Sequence, residues 1–330
     1  NGRFYREKAT WMAAKSLGIE VNFVERFTPE WHSRYFYFTK PVHDIRYRSS
    51  IIRDSYNREV QENGAHLPEE IARNWFENRK SGSGQSFTRY QQLSYSRLDS
   101  AKKYVTFFHS SEDELFTTDL GTSQWKNQFH FLIDFLDSLS NRRDYHLNVR
   151  VHPNLAYKSS REIERWVSFA EKYSSANVTF IMHDSEIKTY DLLQNSDFVI
   201  TYGSTIGVEA AYFEVPSILV SSAFHLDLDI AKHCSSIEDV WDSMENFFTK
   251  DELSMRKTRS LSYGFFYASG GTRVANLELA GNPSVQDPPF KFKNVKFQSN
   301  KLVTMIRLVE GSILRSRKRL FNRRCVRNEC

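Results

Sequence analysis

Between residues 103 and 222, the sequence alternates short apolar segments of strand length with longer segments of helical period. We predict strands at Tyr104–Phe108, His146–Val151, Val178–Met182, Phe198–Tyr202 and Pro216–Val220, and helices at Ser123–Leu139, Ser160–Tyr173, Ile187–Gln194 and Thr205–Phe213. Short apolar strands separated by helices are typical of a parallel sheet that is covered on both faces. Because crossovers between parallel strands are right-handed, the predicted fold class is α/β, a doubly wound, Rossmann-like parallel sheet.

The predicted sheet forms only part of the chain. We predict four regions, in chain order: a partial N-terminal αβ unit at 1–27, an irregular and helical linker region at 28–100, the Rossmann-like domain at 101–280, and a connector with a basic helical tail at 281–330. In the first region, a helix ends at Gly18 and a strand follows. In the second, helices are predicted at Ser50–Glu62 and at Pro68–Arg79, the latter with proline at its first position.

Composition restricts the class of protein. With 40% hydrophobic and 26% charged residues, the chain of 330 residues is neither collagen-like nor wholly disordered. No apolar run approaches the roughly 20 residues that span a bilayer. The opening Asn-Gly-Arg-Phe does not resemble a secretory signal, and the three cysteines form neither a CxxC pair nor a zinc-binding pattern. We therefore expect a cytoplasmic protein without a disulfide scaffold.

Basic charge is concentrated at the C-terminal end. Residues 301–330 contain nine lysines and arginines and two glutamates, a net charge of +7, whereas residues 1–300 carry a net charge of −2. Apolar residues recur at nearly helical spacing in this tail, so 312–330 is predicted to dock on an anionic membrane surface at the inner face of the cytoplasmic membrane. A helix packed on the body and a solvated tail are the alternatives. Nucleic acid is not an expected partner, because the remaining 300 residues are slightly acidic and contain no recognition motif.

Three polar loops follow the predicted strands, at the edge where open α/β sheets bind ligands. They are His109–Glu114, Arg150–Asn154 and Gly203–Glu209. In the third loop, Gly203 allows a tight turn, and the Ser204 and Thr205 hydroxyls with nearby N–H groups form a predicted anion site. Glu209 is then predicted to accept from a ribose hydroxyl. The alternative is an ordinary helix cap by Ser204, with Glu209 solvated.

The second loop supplies two further donors. Arg150 and His152 flank Val151 in strand register, so both side chains are predicted to face the sheet crevice and bind phosphate. A histidine ring satisfied by a backbone carbonyl is the alternative for His152. We interpret His109, His183 and His225 as structural. The sequence contains no Walker loop, no GxSxG elbow and no pattern of metal ligands, so neither a metal nor another cofactor is expected.

Together the motifs resemble a known family. Arg150-Val-His-Pro153, followed by Asp197-Phe-Val-Ile-Thr-Tyr-Gly-Ser-Thr-Ile-Gly-Val-Glu-Ala210 and Val215-Pro-Ser217, is similar to the capsule polysaccharide biosynthesis proteins. These are nucleotide-sugar glycosyltransferases of the two-Rossmann GT-B type, including bacterial Kdo transferases. The opening Asn1-Gly-Arg3 and Glu25-Arg26 resemble the end of that family's N-terminal domain, and Ser110-Ser111 with Asp113-Glu114 resembles a loop of its C-terminal domain.

The resemblance implies a site and an activity. The implied nucleotide-sugar pocket consists of Ser110, Ser111, Arg150, His152, Ser204, Thr205 and Glu209. The implied activity is transfer of a sugar from a nucleotide-sugar donor to a polysaccharide or glycolipid acceptor. Most of the family's N-terminal domain has no counterpart, so the chain resembles the donor-binding half with an N-terminal remnant, and no catalytic base is assigned. A sugar-nucleotide 2-epimerase, a glycerophosphotransferase and a non-catalytic nucleotide- or glycan-binding partner of an assembly complex remain alternatives.

Overall fold

The computed structural model describes residues 5–26, 34–41, 43–82, 91–111, 124–273, 277–279 and 290–292. The chain divides into two compact units, residues 1–274 and residues 275–330. The elements are α1 (Tyr5–Ser16), β1 (Phe23–Arg26), β2 (Arg34–Phe38), α2 (Ile45–Asn63), α3 (His66–Lys80), β3 (Lys103–Phe108), α4 (Gln128–Leu139), β4 (Tyr145–Arg150), α5 (Ser160–Tyr173), β5 (Val178–Ile181), α6 (Thr189–Gln194), β6 (Phe198–Thr201), α7 (Ile206–Tyr212), β7 (Ser217–Leu219), β8 (Lys232–His233), α8 (Ile237–Asp242), α9 (Lys250–Ser269), β9 (Thr272–Arg273), β10 (Leu277–Leu279) and β11 (Phe290–Phe292).

The main sheet of the described residues is parallel throughout and has six strands in the order β5-β4-β3-β6-β7-β8. Thr106 of the central strand β3 lies opposite Asn148 of β4 on one side and Val199 of β6 on the other. Numbered within the sheet, the strands stand in the order 3-2-1-4-5-6 of a doubly wound fold. The predicted fold class is therefore confirmed, and the short strand β8 extends the sheet beyond the five predicted strands.

Both faces of this sheet are covered by helices, as the apolar strands require. On one face, Phe107 of β3 stacks on Phe131 of α4 at a centroid distance of 5.6 Å, and Phe129 packs on Trp166 of α5 at 4.5 Å. On the other face, Phe108 belongs to a buried cluster with side chains of α6 and α7. Because the helices cover both faces, the polar loops that follow the strands lie at the carboxyl edge of the sheet.

The N-terminal helix α1 and strand β1 are present, but the antiparallel sheet to which β1 belongs was not predicted. Strand β1 pairs antiparallel with β2, and β2 pairs antiparallel with β9. Strand β2 lies in the region predicted to be irregular, and its Phe36 and Phe38 side chains are only 4% and 2% exposed. Four consecutive aromatic residues conceal the two-residue period by which a strand is recognised. The assignment of 1–27 as a domain remnant stays a prediction.

Several helices begin at a different residue from the one predicted, and in most of them a capping side chain explains the difference. Helix α2 begins at Ile45 rather than Ser50, because the Asp44 carboxylate accepts the Tyr47 backbone N–H at 2.9 Å. Helix α4 begins at Gln128 rather than Ser123, because Asn127 caps it. Pro68 is the third residue of α3 rather than its first. The single helical region predicted over 237–268 is divided into α8, a π-helical turn and α9, because Thr249 caps a new helix.

Helices α2, α3 and α9 form a layer that packs against α7. Phe76 of α3 stacks on Tyr212 of α7 at a centroid distance of 4.0 Å. Gly264 of α9 faces the same ring, and a Cβ at this position would lie 2.6 Å from Phe76 Cε2. In the second unit, β10 pairs antiparallel with β11. The predicted basic tail, including 312–330, lies outside the described residues.

Candidate functional site

The strand order defines a crevice at the carboxyl edge of the main sheet. From β3 the chain proceeds to β4 and β5 on one side, and then returns to β6 on the other side of β3. The polypeptide therefore diverges in opposite directions from the ends of β3 and β6, and this topological switch point is where doubly wound sheets bind ligands. All three of the predicted polar loops begin at β3, β4 or β6, which are adjacent strands.

The loop after β3 is held in place by a buried glutamine. The Gln128 side chain accepts the backbone N–H of Ser110 at 3.1 Å and donates to the Ser110 carbonyl at 2.9 Å. The Ser110 hydroxyl is buried and has no hydrogen-bond partner within the described part of the chain. Because an unsatisfied buried hydroxyl is uncommon, this group is available to a ligand or a bound water molecule. Residues 112–123, which include Asp113 and Glu114, lie outside the described residues.

Two histidines join the loops after β3 and β4. His109 Nδ1 accepts the backbone N–H of His152 at 3.0 Å, and His152 Nδ1 accepts the backbone N–H of Asn154 at 3.0 Å. The Asn154 side-chain amide also donates to the Ser111 hydroxyl at 3.4 Å. Since Nδ1 is the acceptor in both rings, the neutral imidazoles carry their proton on Nε2. The alternative for His152, a ring bonded to a backbone carbonyl, is not tested by these two contacts and stays a prediction.

Both imidazoles are kept neutral by their surroundings. Burial, with the charges of Arg150 and Lys158, lowers the pKa of His152 to about 4. Burial also lowers the pKa of His109 well below its usual value, with smaller contributions from His152 and Lys158. At neutral pH the rings act as hydrogen-bonding groups, and the positive charge comes from the neighbouring arginine and lysine.

The Arg150 guanidinium is buried and contacts the loop that follows β5. Its side chain is 2% exposed, and its guanidinium donates to the backbone carbonyls of Met182 at 2.6 Å and Ser185 at 3.4 Å. Burial lowers its pKa to about 10, so it remains cationic at neutral pH. The contacts hold the loop after β5 in place. Direct binding of phosphate by Arg150 stays a prediction, whereas its charge acts on His152 in this structure.

The loop after β6 presents the predicted hydroxyls at the switch point. Gly203 has a φ of 138°, a conformation that favours glycine. Ser204 and Thr205 precede α7 rather than beginning it, and the Thr205 side chain is exposed. The Ser204 hydroxyl accepts the Ile206 N–H at 3.4 Å, a long distance for a cap. Both residues thus lie in the loop that follows β6, and their part in an anion site stays a prediction.

The close approach of α7 to the sheet explains a glycine in this motif. A Cβ at Gly207 would lie 3.0 Å from Thr201 Oγ1 and 3.2 Å from Ser217 Oγ. The Ser217 hydroxyl donates to the Gly207 carbonyl at 2.8 Å. This contact fixes the first turn of α7 against β6 and β7, and so determines where the Gly203–Thr205 loop stands.

Glu209 is buried and bonded to the protein. Its carboxylate is 2% exposed, and Oε1 accepts from Arg79 Nη2 at 2.8 Å and from Arg79 Nε at 3.1 Å. Oε2 accepts from the Tyr190 hydroxyl. The alternative of a solvated Glu209 is therefore wrong, and its contact with a ribose hydroxyl stays a prediction. Arg79, Gln128 and Asn154 were not singled out from the sequence, because each contact joins segments that only the fold brings together.

A separate cleft of about 670 Å³ lies between α1 and the turn before α2. Its lining includes Trp11, Lys15, Lys40 and His43. None of the predicted site residues lines this cleft. Within the described residues, no three histidine, cysteine, aspartate or glutamate side chains are grouped as a metal site would need, and no helix is both long and apolar enough to cross a bilayer.

Comparisons with known proteins give structural likeness only. No protein-family profile matches the chain, and no curated protein sequence matches it. The solved structures that resemble it include the KpsC beta Kdo 2,4 transferase of Thermosulfurimonas dismutans, with 13% identity, a TM-score of 0.49, and coverage of 78% of this chain and 76% of that chain.

Two epimerase structures resemble the chain over a smaller share. A putative UDP-N-acetylglucosamine 2-epimerase from Listeria monocytogenes has 15% identity and a TM-score of 0.35, and covers 54% of this chain and 46% of that chain. The UDP-GlcNAc 2-epimerase of Neisseria meningitidis, bound to UDP-GlcNAc, has 10% identity and a TM-score of 0.31, and covers 62% and 49%. At these identities and TM-scores the likeness assigns no activity to the chain.

Proposed function

We propose that the chain binds a nucleotide-sugar donor at the carboxyl edge of β4, β3 and β6, and that it acts in glycosyl transfer to a polysaccharide or glycolipid acceptor. The observation that carries this proposal is the convergence of three polar loops at the switch point of a 3-2-1-4-5-6 sheet. The resemblance of Arg150–Pro153 and of Asp197–Ala210 to nucleotide-sugar glycosyltransferases supports the class of ligand.

The groups at this edge suit a diphosphate or phosphodiester. His152 supplies a neutral imidazole, Ser204 and Thr205 supply hydroxyls, and Arg150 and Lys158 supply positive charge around His152. Fixed donors and charges of this kind stabilise the negative charge that develops on a departing nucleotide phosphate.

A nucleotide screen tests the binding step. We expect at least one of CMP, CDP, UDP and GDP to raise the melting temperature of the chain. His152→Ala and Thr205→Ala should each weaken its binding by about 1–3 kcal/mol in calorimetric titration, the cost of leaving a polar partner unpaired. His66→Ala and Thr258→Ala are matched controls, because both residues are exposed on helices away from this edge. Failure of all four nucleotides to bind would overturn the proposal.

Product analysis tests the reaction. Incubated with its nucleotide-sugar and an acceptor glycan, a transferase releases nucleotide and lengthens the acceptor, whereas an epimerase yields an altered nucleotide-sugar without an acceptor. We expect transfer rather than epimerisation, but we expect residues 1–330 alone to bind the nucleotide without turnover, because glycosyl transfer needs donor and acceptor positioned together. Binding without either product, even in a form that carries an acceptor domain, would instead indicate a non-catalytic nucleotide-binding partner.

A further inference from the structure

His109, the residue that follows β3, continues the pairing of β3 with β4. Its backbone N–H donates to the Arg150 carbonyl at 3.0 Å, as in a parallel ladder. The next N–H of that edge, on His152, has no carbonyl of β3 as its acceptor and is bound instead by His109 Nδ1. A side chain thus supplies the acceptor that the backbone does not.

The imidazole of His109 is locked in the orientation that this contact needs. The side chain is 3% exposed, and its ring lies 4.6 Å from the ring of Trp166. Within the described residues its Nε2 has no hydrogen-bond partner, so the bond to His152 accounts for the burial of a polar ring here. Packing alone would be served equally by an apolar side chain of similar size.

We propose that His109 is a positioning residue for the donor site: its Nδ1 holds the backbone of His152, and with it the His152 imidazole, at the end of β4. The consequence for nucleotide binding rests on the proposed function, in which His152 contacts the donor. His109 itself is not proposed to touch the ligand. The same bond ties the loops after β3 and β4 to each other.

Two substitutions of His109 distinguish the role of its Nδ1 from that of its Nε2. In His109→Asn, the amide oxygen occupies the position of Nδ1 and can still accept the His152 N–H. In His109→Gln, the longer side chain reaches the position of Nε2 and leaves the Nδ1 position empty. Both variants bury an amide beside Trp166, so their stabilities should be similar. His146→Asn and His146→Gln form a matched control pair, because His146 is also buried but lies at the opposite end of β4.

The first measurement is calorimetric titration with CMP, CDP, UDP and GDP. We expect His109→Asn to bind the preferred nucleotide within about threefold of the unaltered protein, and His109→Gln to bind it about tenfold more weakly. Neither variant of His146 should change the affinity. Equal losses in the two His109 variants, or a loss in His109→Asn alone, would overturn the proposal.

The second measurement does not depend on a ligand. In NMR spectra of the protein with isotope-labelled histidine, the nitrogen shifts report the tautomer of each ring. We expect His109 and His152 to be neutral and protonated on Nε2, with the His152 shifts retained in His109→Asn and altered in His109→Gln. A proton on Nδ1 of His109 in the unaltered protein would disprove the positioning role. If none of the four nucleotides binds, the proposed function fails, while these spectra still decide the role of His109.

Discussion

At the scale of single residues, the contacts of Glu209 come from two other helices that precede its own in the sequence. The residue lies one helical turn beyond Gly203–Thr205, where the sequence suggested a contact with ribose. In the structure the carboxylate is buried between Arg79 of α3 and Tyr190 of α6. The guanidinium of Arg79 in turn lies over the Trp75 ring at 4.8 Å. The pair therefore ties α3 to the helix that follows the candidate site.

Breaking this ion pair should destabilise the protein. Arg79→Leu leaves the Glu209 carboxylate buried without its cation, and we expect the free energy of unfolding to fall by about 3 kcal/mol. Urea denaturation followed by circular dichroism measures the change. Arg73→Leu is the control on the same helix, because its ion pair with Glu69 is exposed and should contribute less than about 1 kcal/mol. Similar changes in both variants would contradict this account of Glu209.

His225 predicts a pH dependence of stability. Its side chain is 1% exposed, and burial lowers its pKa from 6.5 to about 4. Between these pH values the unfolded chain binds a proton that the folded chain does not, so the free energy of unfolding falls as the pH is lowered. The full loss, reached below about pH 4, is about 3 kcal/mol for this residue.

The contribution of His225 is measured by difference. His109, His146 and His152 also have a lowered pKa, and they contribute in the same direction. Denaturation of the unaltered protein and of His225→Leu, compared between pH 7 and pH 4, cancels these shared contributions. Between pH 7 and pH 4, the free energy of unfolding of the variant should fall by about 3 kcal/mol less than that of the unaltered protein. Parallel curves would show that His225 does not titrate as its burial implies.

At the scale of elements, the contact between α3 and α9 depends on a glycine. A Cβ at Gly264 would lie 2.6 Å from Phe76 Cε2 and 3.1 Å from the Ala72 carbonyl oxygen. The Phe76 ring is fully buried and stacks on Tyr212, so it cannot move without disturbing α7. The two helices can approach this closely only where one of them lacks a side chain.

Gly264→Ala should therefore destabilise the helical layer. Overpacking costs about 1–3 kcal/mol, and it should outweigh the gain of up to about 1 kcal/mol in helix propensity. We expect a lower melting temperature, measured by differential scanning calorimetry. Ser254→Ala is the control, because Ser254 is exposed on the same helix and should change stability by less than about 0.5 kcal/mol. An unchanged or raised melting temperature for Gly264→Ala would contradict the close packing.

At the scale of the whole molecule, charge is divided unevenly along the chain. The net charge of +7 in residues 301–330 contrasts with −2 in the remainder. We predict that the chain sediments with vesicles of anionic phospholipid and not with neutral vesicles. Binding should weaken at high salt, because each basic residue near the headgroups contributes about 1 kcal/mol through a screened interaction. Removal of 312–330 should abolish it.

A matched variant tests whether the positive charge of the tail, rather than its presence alone, causes the binding to vesicles. Replacing Arg315, Arg317, Lys318 and Arg319 by glutamine keeps the length of the tail and removes four positive charges. Sedimentation should then resemble that of the deleted form. Equal partitioning to anionic and neutral vesicles, or retention after the deletion, would exclude an electrostatic membrane contact by this segment.

The sequence by itself determined the α/β class, and it predicts the edge of the sheet at which the candidate site is proposed. Short apolar strands need cover on both faces, and right-handed crossovers leave few arrangements, so the order of elements implies a doubly wound sheet. It follows that polar loops after the strands gather at one edge. Gly203, Ser204 and Thr205 were predicted as site residues in this way, since local spacing alone carries their signal.

Only the tertiary structure decided what the side chains contact. Strand β2 escaped prediction because its aromatic residues hide the alternating period, and its antiparallel partners come from residues 23–26 and 272–273. The pairs Arg79–Glu209 and His109–His152 join residues separated by 130 and 43 positions. Their hydrogen bonds depend on how strands and helices pack in three dimensions. Periodicity within a segment cannot predict such contacts, because it records which face is buried and not which residue lies opposite.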